Sequence, residues 1–319
     1  MRAGSPDRPL VLVVGATGRQ GGSVARHLLA AGRFRVRALT RRPHTDEAMT
    51  LAAMGAEVVK GHLDDCEALV AAMRGVDALF GVTDWWEHFD EEEQQGRALV
   101  DVAMRSGVRH LVLSTQPSPF GVPRKGLACG PFATKAAIER YARDRGAPAT
   151  FVHIAFYWEN LLSLVVPRAL GDGRFALSLP MGDRRLGGIG EDDIGGVVMA
   201  LLTPGAHAMG RVVPVVGDAR RADEIASVLS RVTKREVRAD ADPAASPWAR
   251  IPGAEALAAA LDETFATYRT LQGGLDDAVI ATRARYPRVR DLEGWAHAQA
   301  SEIRWTLDRL DAAGSKKRR

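Results

Sequence analysis

Three glycines spaced Gly15-x-x-Gly18-x-x-Gly21 and an arginine pair some twenty residues later are spaced for chemistry on a phosphate-bearing ligand. Gly15 permits a tight turn, Gly18 lets backbone approach a pyrophosphate, and Gly21 lets a helix pack closely on the preceding strand. Thr17, Arg19 and Gln20 lie between them, and the N–H groups of a helix start favour an anion there. About twenty positions further on, a site for NAD(H) carries a carboxylate for the ribose 2′-hydroxyl. Here the positions are Thr40, Arg41 and Arg42. A guanidinium bonds a 2′-phosphate that a carboxylate would repel, and Arg19 is a second candidate for the same phosphate. The expected cofactor is NADP(H).

Further candidates stand where predicted strands end. Leu63 and Asp64 follow a short strand and are expected at an adenine edge, although Asp64 or Asp65 also reads as a helix cap. Val82 and Thr83 end another strand and lead into Trp85 and Trp86, one of which is expected to wall a nicotinamide or substrate pocket. Glu87, His88 and Asp90 resemble metal ligands, but acids opening a helix at Glu91 complement its dipole, so no metal is expected. Ser114 ends the next strand. Lys135 stands near a helix start, and before the tail the only other lysines are Lys60, Lys125 and Lys234. A lysine kept in so arginine-biased a chain suggests a need for a compact ammonium. Phe156, Tyr157, Trp158 and Asn160 follow a sixth strand. Tyr157 is a candidate proton donor, and Phe156 and Trp158 are pocket walls or core.

The elements that must position these residues alternate. Leu10 to Val14 is an apolar strand feeding a helix through Leu29. Strands are predicted at 34–40, 56–60, 76–82, 109–114 and 149–154, separated by helices at 46–54, 66–73, 91–105 and 132–145. That alternation implies an α/β, Rossmann-type, doubly wound parallel sheet over residues 10–154. Residues 155–310 are expected to form a smaller, mostly helical substrate or partner lobe. Within them, 167–180 reads as a turn and short strand, 191–202 as a helix and 211–216 as a strand. Parts of 175–216 are expected to return to the main sheet. Amphipathic helices are predicted at 221–232, 255–269 and 291–310. Residues 1–9 and the basic stretch 311–319 are expected to be disordered.

Composition narrows the classes. Net charge is +4, but Lys316, Lys317, Arg318 and Arg319 supply four charges, so the body is near neutral and nucleic acid is not an expected partner. Cys66 and Cys129 have no paired spacing, which argues against a disulfide framework or thiolate metal site and suits a reducing compartment. No apolar run is long enough to span a bilayer. The expected setting is cytoplasmic, without membrane association. Neither G-x-S-x-G nor H-E-x-x-H occurs.

The chain resembles the NmrA-like family of atypical short-chain dehydrogenase/reductases, above all its HSCARG-type NADPH-sensor branch. The residues carrying the likeness are Gly15-Ala-Thr-Gly-Arg-Gln-Gly21, Val82-Thr-Asp-Trp-Trp-Glu87 and Phe156-Tyr-Trp-Glu-Asn-Leu-Leu162. Leu177-Ser-Leu-Pro-Met-Gly-Asp183 and Asp192-Asp-Ile-Gly195 extend it. The resemblance implies a lobe binding NADP(H) and a smaller lobe closing over it. It also implies Arg41 at the 2′-phosphate, Thr83 near the nicotinamide ribose, and Lys135 at the position of the dehydrogenases' active-site lysine. The tyrosine normally four residues earlier is replaced by Pro131. Two functions are therefore expected in competition. One is an NADPH-dependent reductase acting on a small electrophilic, aromatic acceptor such as a quinone or enone. The other is an NADP(H)-sensing regulator without turnover, acting through a homodimer or a controlled protein partner.

Overall fold

The computed structural model describes residues 8–88, 91–118, 130–203, 208–240, 247–248 and 255–316. The expected disorder of residues 1–7 and 317–319, the candidate ligand Asp90, and most of the proline- and glycine-rich loop 117–131 lie outside them. Contacts divide the chain into two units: Met1–Ile154 with Glu191–Val215, and Ala155–Gly190 with Val216–Arg319.

The first unit is a seven-stranded sheet of β1 (Leu10–Val14), β2 (Arg35–Thr40), β3 (Glu57–Lys60), β4 (Ala78–Gly81), β5 (His110–Thr115), β6 (Ala149–Ile154) and β11 (Val212–Val215). The strand order is β11-β6-β5-β4-β1-β2-β3, and every pairing is parallel. The order reverses between β1 and β4, and ligands of such sheets bind at the carboxyl ends of the strands beside that reversal. Helices cover both faces. On one, α3 (Cys66–Ala72), α4 (Glu92–Arg105) and α5 (Pro131–Asp144) share a core with Leu10, Leu12 and Val14. The alternate residues Val11 and Val13 face the other way. There α1 (Arg19–Ala31) packs on α6 (Glu191–Leu202). α2 (Asp46–Ala53) completes the first half, with the Thr45 hydroxyl capping it by accepting from the Ala48 N–H.

Contact between α1 and α6 is unusually close. A β-carbon on Gly195 would lie 2.3 Å from the Ser23 carbonyl oxygen, so only glycine fits. This gives the Asp192-Asp-Ile-Gly195 sequence a packing role.

The second unit holds two three-stranded sheets. One is ordered β12 (Asp218–Arg220), β10 (Leu186–Ile189), β7 (Phe156–Tyr157); the other β13 (Glu236–Asp240), β9 (Arg174–Ser178), β8 (Arg168–Gly171). A 3-10 turn (Trp158–Leu162) and helices α7 (Ala222–Thr233), α8 (Glu255–Thr270), α9 (Leu275–Arg285), α10 (Leu292–Ala298) and α11 (Ala300–Lys316) complete it.

Several elements here depart from the sequence-based expectation. Residues 167–180 form two strands rather than one. The helix expected over 291–310 breaks at Gln299 and then continues to Lys316, past the point where a disordered tail was expected. Leu310 still packs on the core, and Asp311, Ala312 and Ala313 are tolerated in a helix. No helix among the described residues is long and apolar enough to cross a membrane.

Candidate functional site

The glycine turn is seated at the reversal point. Gly15 has φ +61°, a conformation open to glycine, and the Gly18 N–H closes the turn onto the Gly15 carbonyl at 2.8 Å. A β-carbon on Gly15 would stand 3.3 Å from Val82, placing the turn against the end of β4. On its other side Thr17 and Thr40 hydroxyls are 3.1 Å apart, joining the turn to the end of β2. Gly18 is the N-cap of α1, where no side chain caps the helix and no acid occupies the first turn. Gln20 is half-buried on that turn, while Gly15, Gly18 and Arg19 are exposed. An acid-free helix start beneath exposed glycine backbone attracts an external anion.

Two of the three candidate phosphate-binding arginines hold carboxylates. Arg41 pairs with Glu87 and lies 3.3 Å from His88 Nε2. The Arg41 guanidinium keeps the Glu87 carboxyl below the usual carboxylate range. Arg19 pairs with Glu191 at 2.9 Å. Arg42 donates its backbone N–H to the Thr40 hydroxyl at 3.2 Å and leaves its side chain exposed. Exposed pairs of this kind contribute little, so a dianionic phosphate can displace the carboxylates. The cap of α3 is Asp65, which accepts from the Ala68 N–H at 2.9 Å. Asp64 instead pairs with His62 at 2.7 Å and accepts from Gln95, while Leu63 packs on the core.

At the end of β4 a buried ion pair gathers three of the site's residues. The Lys135 ammonium donates to Glu92 Oε1 at 2.5 Å, to the Thr83 carbonyl at 2.9 Å and to the Thr83 hydroxyl at 3.2 Å. The Thr83 hydroxyl in turn donates to the same Glu92 oxygen at 2.7 Å. The Lys135 side chain is 13% exposed and that of Glu92 0%. Acids do open α4, as the helix-dipole reading expects, but they divide: Glu91 stays exposed, whereas Glu92 turns inward, which that reading did not foresee. The signal was present in the sequence, because Glu92, Gln95, Gly96 and Leu99 fall on one helical stripe and all are buried. Gly96 makes the geometry attainable. A β-carbon there would lie 2.4 Å from Ile138, so α4 and α5 meet closely one turn from Glu92 and Lys135.

Trp85 and Trp86 diverge. Their rings meet edge to face at 4.9 Å; Trp85 is 7% exposed and anchors the loop, while Trp86 is 41% exposed and is the one free to wall a pocket. Ser114 is buried at the end of β5. Next to it lies a cluster that sequence reasoning missed. Thr115 and His153 both contact Glu139 Oε2 at 2.8 Å, and Arg143 grips the other oxygen. Strand register places Thr115 opposite His153, a relationship that spacing within one chain segment does not reveal.

Phe156, Tyr157, Trp158 and Asn160 belong to the second unit. Trp158 is completely buried, and a β-carbon on Gly188 would stand 2.5 Å from its ring. Phe156 contacts Trp158, Phe265 and Tyr268 edge to face. Of the two alternatives for these rings, core packing describes both. Tyr157 and Asn160 are half-buried. Burial, with Tyr157 nearby, pushes the Tyr268 phenol above the usual tyrosine range. No group of three metal-ligating side chains occurs among the described residues.

A family model described as the NmrA-like family matches residues 7–296. The NmrA-like family domain-containing oxidoreductase lnaB of Aspergillus flavus is 30% identical over 73% of this chain and 76% of its own. A Streptomyces griseus protein named (4-alkanoyl-5-oxo-2,5-dihydrofuran-3-yl)methyl phosphate reductase is 36% identical over 72% of this chain and 76% of its own. Among solved structures, that of NmrA, a negative transcriptional regulator in complex with NADP, superposes with a TM-score of 0.77. It shares 22% identity, over 96% of this chain and 98% of that one.

Proposed function

The chain belongs to the NmrA-like family, and from that premise we propose that it is an NADPH-dependent reductase. Its acceptor would be small and electrophilic, an aromatic or conjugated group such as a quinone or an enone. The observation carrying this reading is the acid-free, uncapped start of α1 at the reversal between β1 and β4. The residues present fit the cofactor: the glycine turn accepts a pyrophosphate, and the end of β2 carries Arg41 and Arg42 in place of an acid, with Arg41 and Arg19 available to a 2′-phosphate that displaces Glu87 and Glu191. Bound NADPH supplies a hydride.

This chain's own residues favour acceptors that are already activated. Lys135 stands at the sheet edge, but Glu92 neutralises its charge, so the site has little cationic power to stabilise a developing anion. Acceptors that delocalise charge themselves have no need of that help. Trp86 offers an exposed ring for a flat acceptor to lie against. The Streptomyces griseus relative supports the same class, since its name describes an unsaturated oxo ring bearing an acyl group. The test is to bind NADPH and follow its oxidation against quinones, enones and other aromatic electrophiles, with Tyr157→Phe assayed alongside to examine that phenol as proton donor. Steady oxidation with one class supports the reductase.

A second reading, an NADP(H)-sensing regulator, is favoured by Pro131 in place of the dehydrogenases' tyrosine and by the likeness to a transcriptional regulator. Under it NADPH changes oligomeric state or protease sensitivity, and no acceptor in the panel oxidises it.

A further inference from the structure

We propose that Glu92 is the positioning residue of this site. It fixes the Lys135 ammonium and Thr83 against each other at the end of β4 and presents them to NADP(H) as one preset, charge-neutral unit. The inference rests on the cofactor reading above.

Burying a carboxylate is costly unless it is paired and hydrogen-bonded, and the first turn of α4 needs no such expense. Glu91 and Glu93 already supply negative charge there, and Glu93 is occupied by Arg97. Glu92 alone turns in. Lys135 and Thr83 converge on its Oε1, while Oε2 has no hydrogen-bond partner among the described residues. The carboxylate is thus oriented for the other two groups and not for its own satisfaction. The consequence for Thr83 is a fixed polarity. Its hydroxyl proton is committed to Glu92, so it meets an incoming group as an acceptor. That suits a ribose hydroxyl and disfavours a phosphate oxygen. Lys135 has three N–H donors, and all three have protein acceptors, so it acts by holding Thr83.

The location assigns the unit to one half of the cofactor. In a doubly wound sheet each side of the reversal receives one mononucleotide half. The glycine turn and Arg41 lie on the β1–β2 side, so the β4 unit faces the nicotinamide half.

The experiment compares NADPH with 2′,5′-ADP, which carries the 2′-phosphate but no nicotinamide ribose. Affinities and thermal midpoints are measured for wild type, Glu92→Gln and Glu92→Gln/Lys135→Met. Glu92→Gln is expected to weaken NADPH by about tenfold or more and 2′,5′-ADP by less than about twofold. The double variant removes both charges and is expected to recover the thermal midpoint without recovering NADPH affinity. Parallel loss of both ligands, or full recovery of NADPH affinity in the double variant, makes the pair a structural strut and overturns the proposal. If wild type binds neither ligand, the cofactor reading has failed instead. Should Glu92→Gln not fold, the double variant alone decides between these outcomes.

Discussion

Gly21 packs against Gly15 so tightly that a β-carbon on Gly21 would stand 2.3 Å from the Gly15 carbonyl oxygen. The obstruction is backbone, which cannot rotate aside as a side chain can. Gly21→Ala must therefore push α1 away from β1, at a cost of about 1–3 kcal/mol or more. At Gly18 the corresponding distance is 3.3 Å, and the position is exposed. Gly18→Ala is expected to keep the fold while obstructing the phosphate. Urea unfolding and NADPH titration of the two variants separate the roles. Equal stability loss at both positions would falsify the division of labour.

Arg41 is expected to carry the preference for NADPH over NADH. Replacing it with Ala removes a charge-assisted bond to the 2′-phosphate worth about 1.5–3 kcal/mol, or roughly ten- to hundredfold in NADPH affinity. NADH, which lacks that phosphate, loses little. Glu87 pairs with the same guanidinium and competes with the phosphate for it, so Glu87→Gln should tighten NADPH binding by about two- to fivefold. Parallel titrations of both nucleotides test the pair of expectations; a loss shared equally by NADH places Arg41 elsewhere.

How far the sequence discloses the site depends on how local each signal is. β1, the glycine turn and α1 follow one another in the chain, and their pattern is legible because each contact is between near neighbours. β1, β4, β5 and β6 are equally plain, since parallel strands buried on both faces read as apolar runs, while β2 shows as an alternation of polar and apolar residues and the half-buried β3 only as its Val58-Val59 pair. β10 is not, because Gly187 and Gly188 carry no strand propensity; the ring of Trp158 requires glycine at 188. β13 is exposed at all but one residue, and α9 buries only Ala278 and Thr282, so neither displays an apolar period. Glu92 escaped because its neighbours made it look like surface charge. The Thr115, Glu139 and His153 cluster required the strand register.

Ser23 ties α1 to α6 from inside. Its hydroxyl donates to the Asp192 carbonyl at 2.6 Å and accepts from the Gly195 N–H at 2.9 Å. The residue is fully buried, so Ser23→Ala strands polar backbone and is expected to cost about 1–3 kcal/mol. Because the contact lies behind the glycine turn, intrinsic NADPH affinity should change little once the protein is folded. Chemical denaturation and NADPH binding, measured on the same preparation, show whether stability and affinity move apart as expected.

Glu139 should make stability acid-sensitive. Burial alone raises its pKa, but hydrogen bonds from His153, Arg143 and Thr115 outweigh that and leave it below the usual value. A carboxyl whose folded pKa is depressed contributes stability that is fully present above its unfolded pKa, near about 4.3, and is lost as pH falls through the folded value. Glu139→Gln keeps an oxygen acceptor but loses the charge, so near neutrality it is expected to be less stable by about 1–3 kcal/mol. That deficit should shrink steadily below about pH 4.3, because wild type surrenders the same interaction by protonation. Other carboxylates titrate in this window too, but they are common to both proteins and cancel in the difference. Urea unfolding of wild type and Glu139→Gln across pH 3–7 measures it. Curves that stay parallel down to the lowest pH would show that the charge on Glu139 contributes nothing to the folded state.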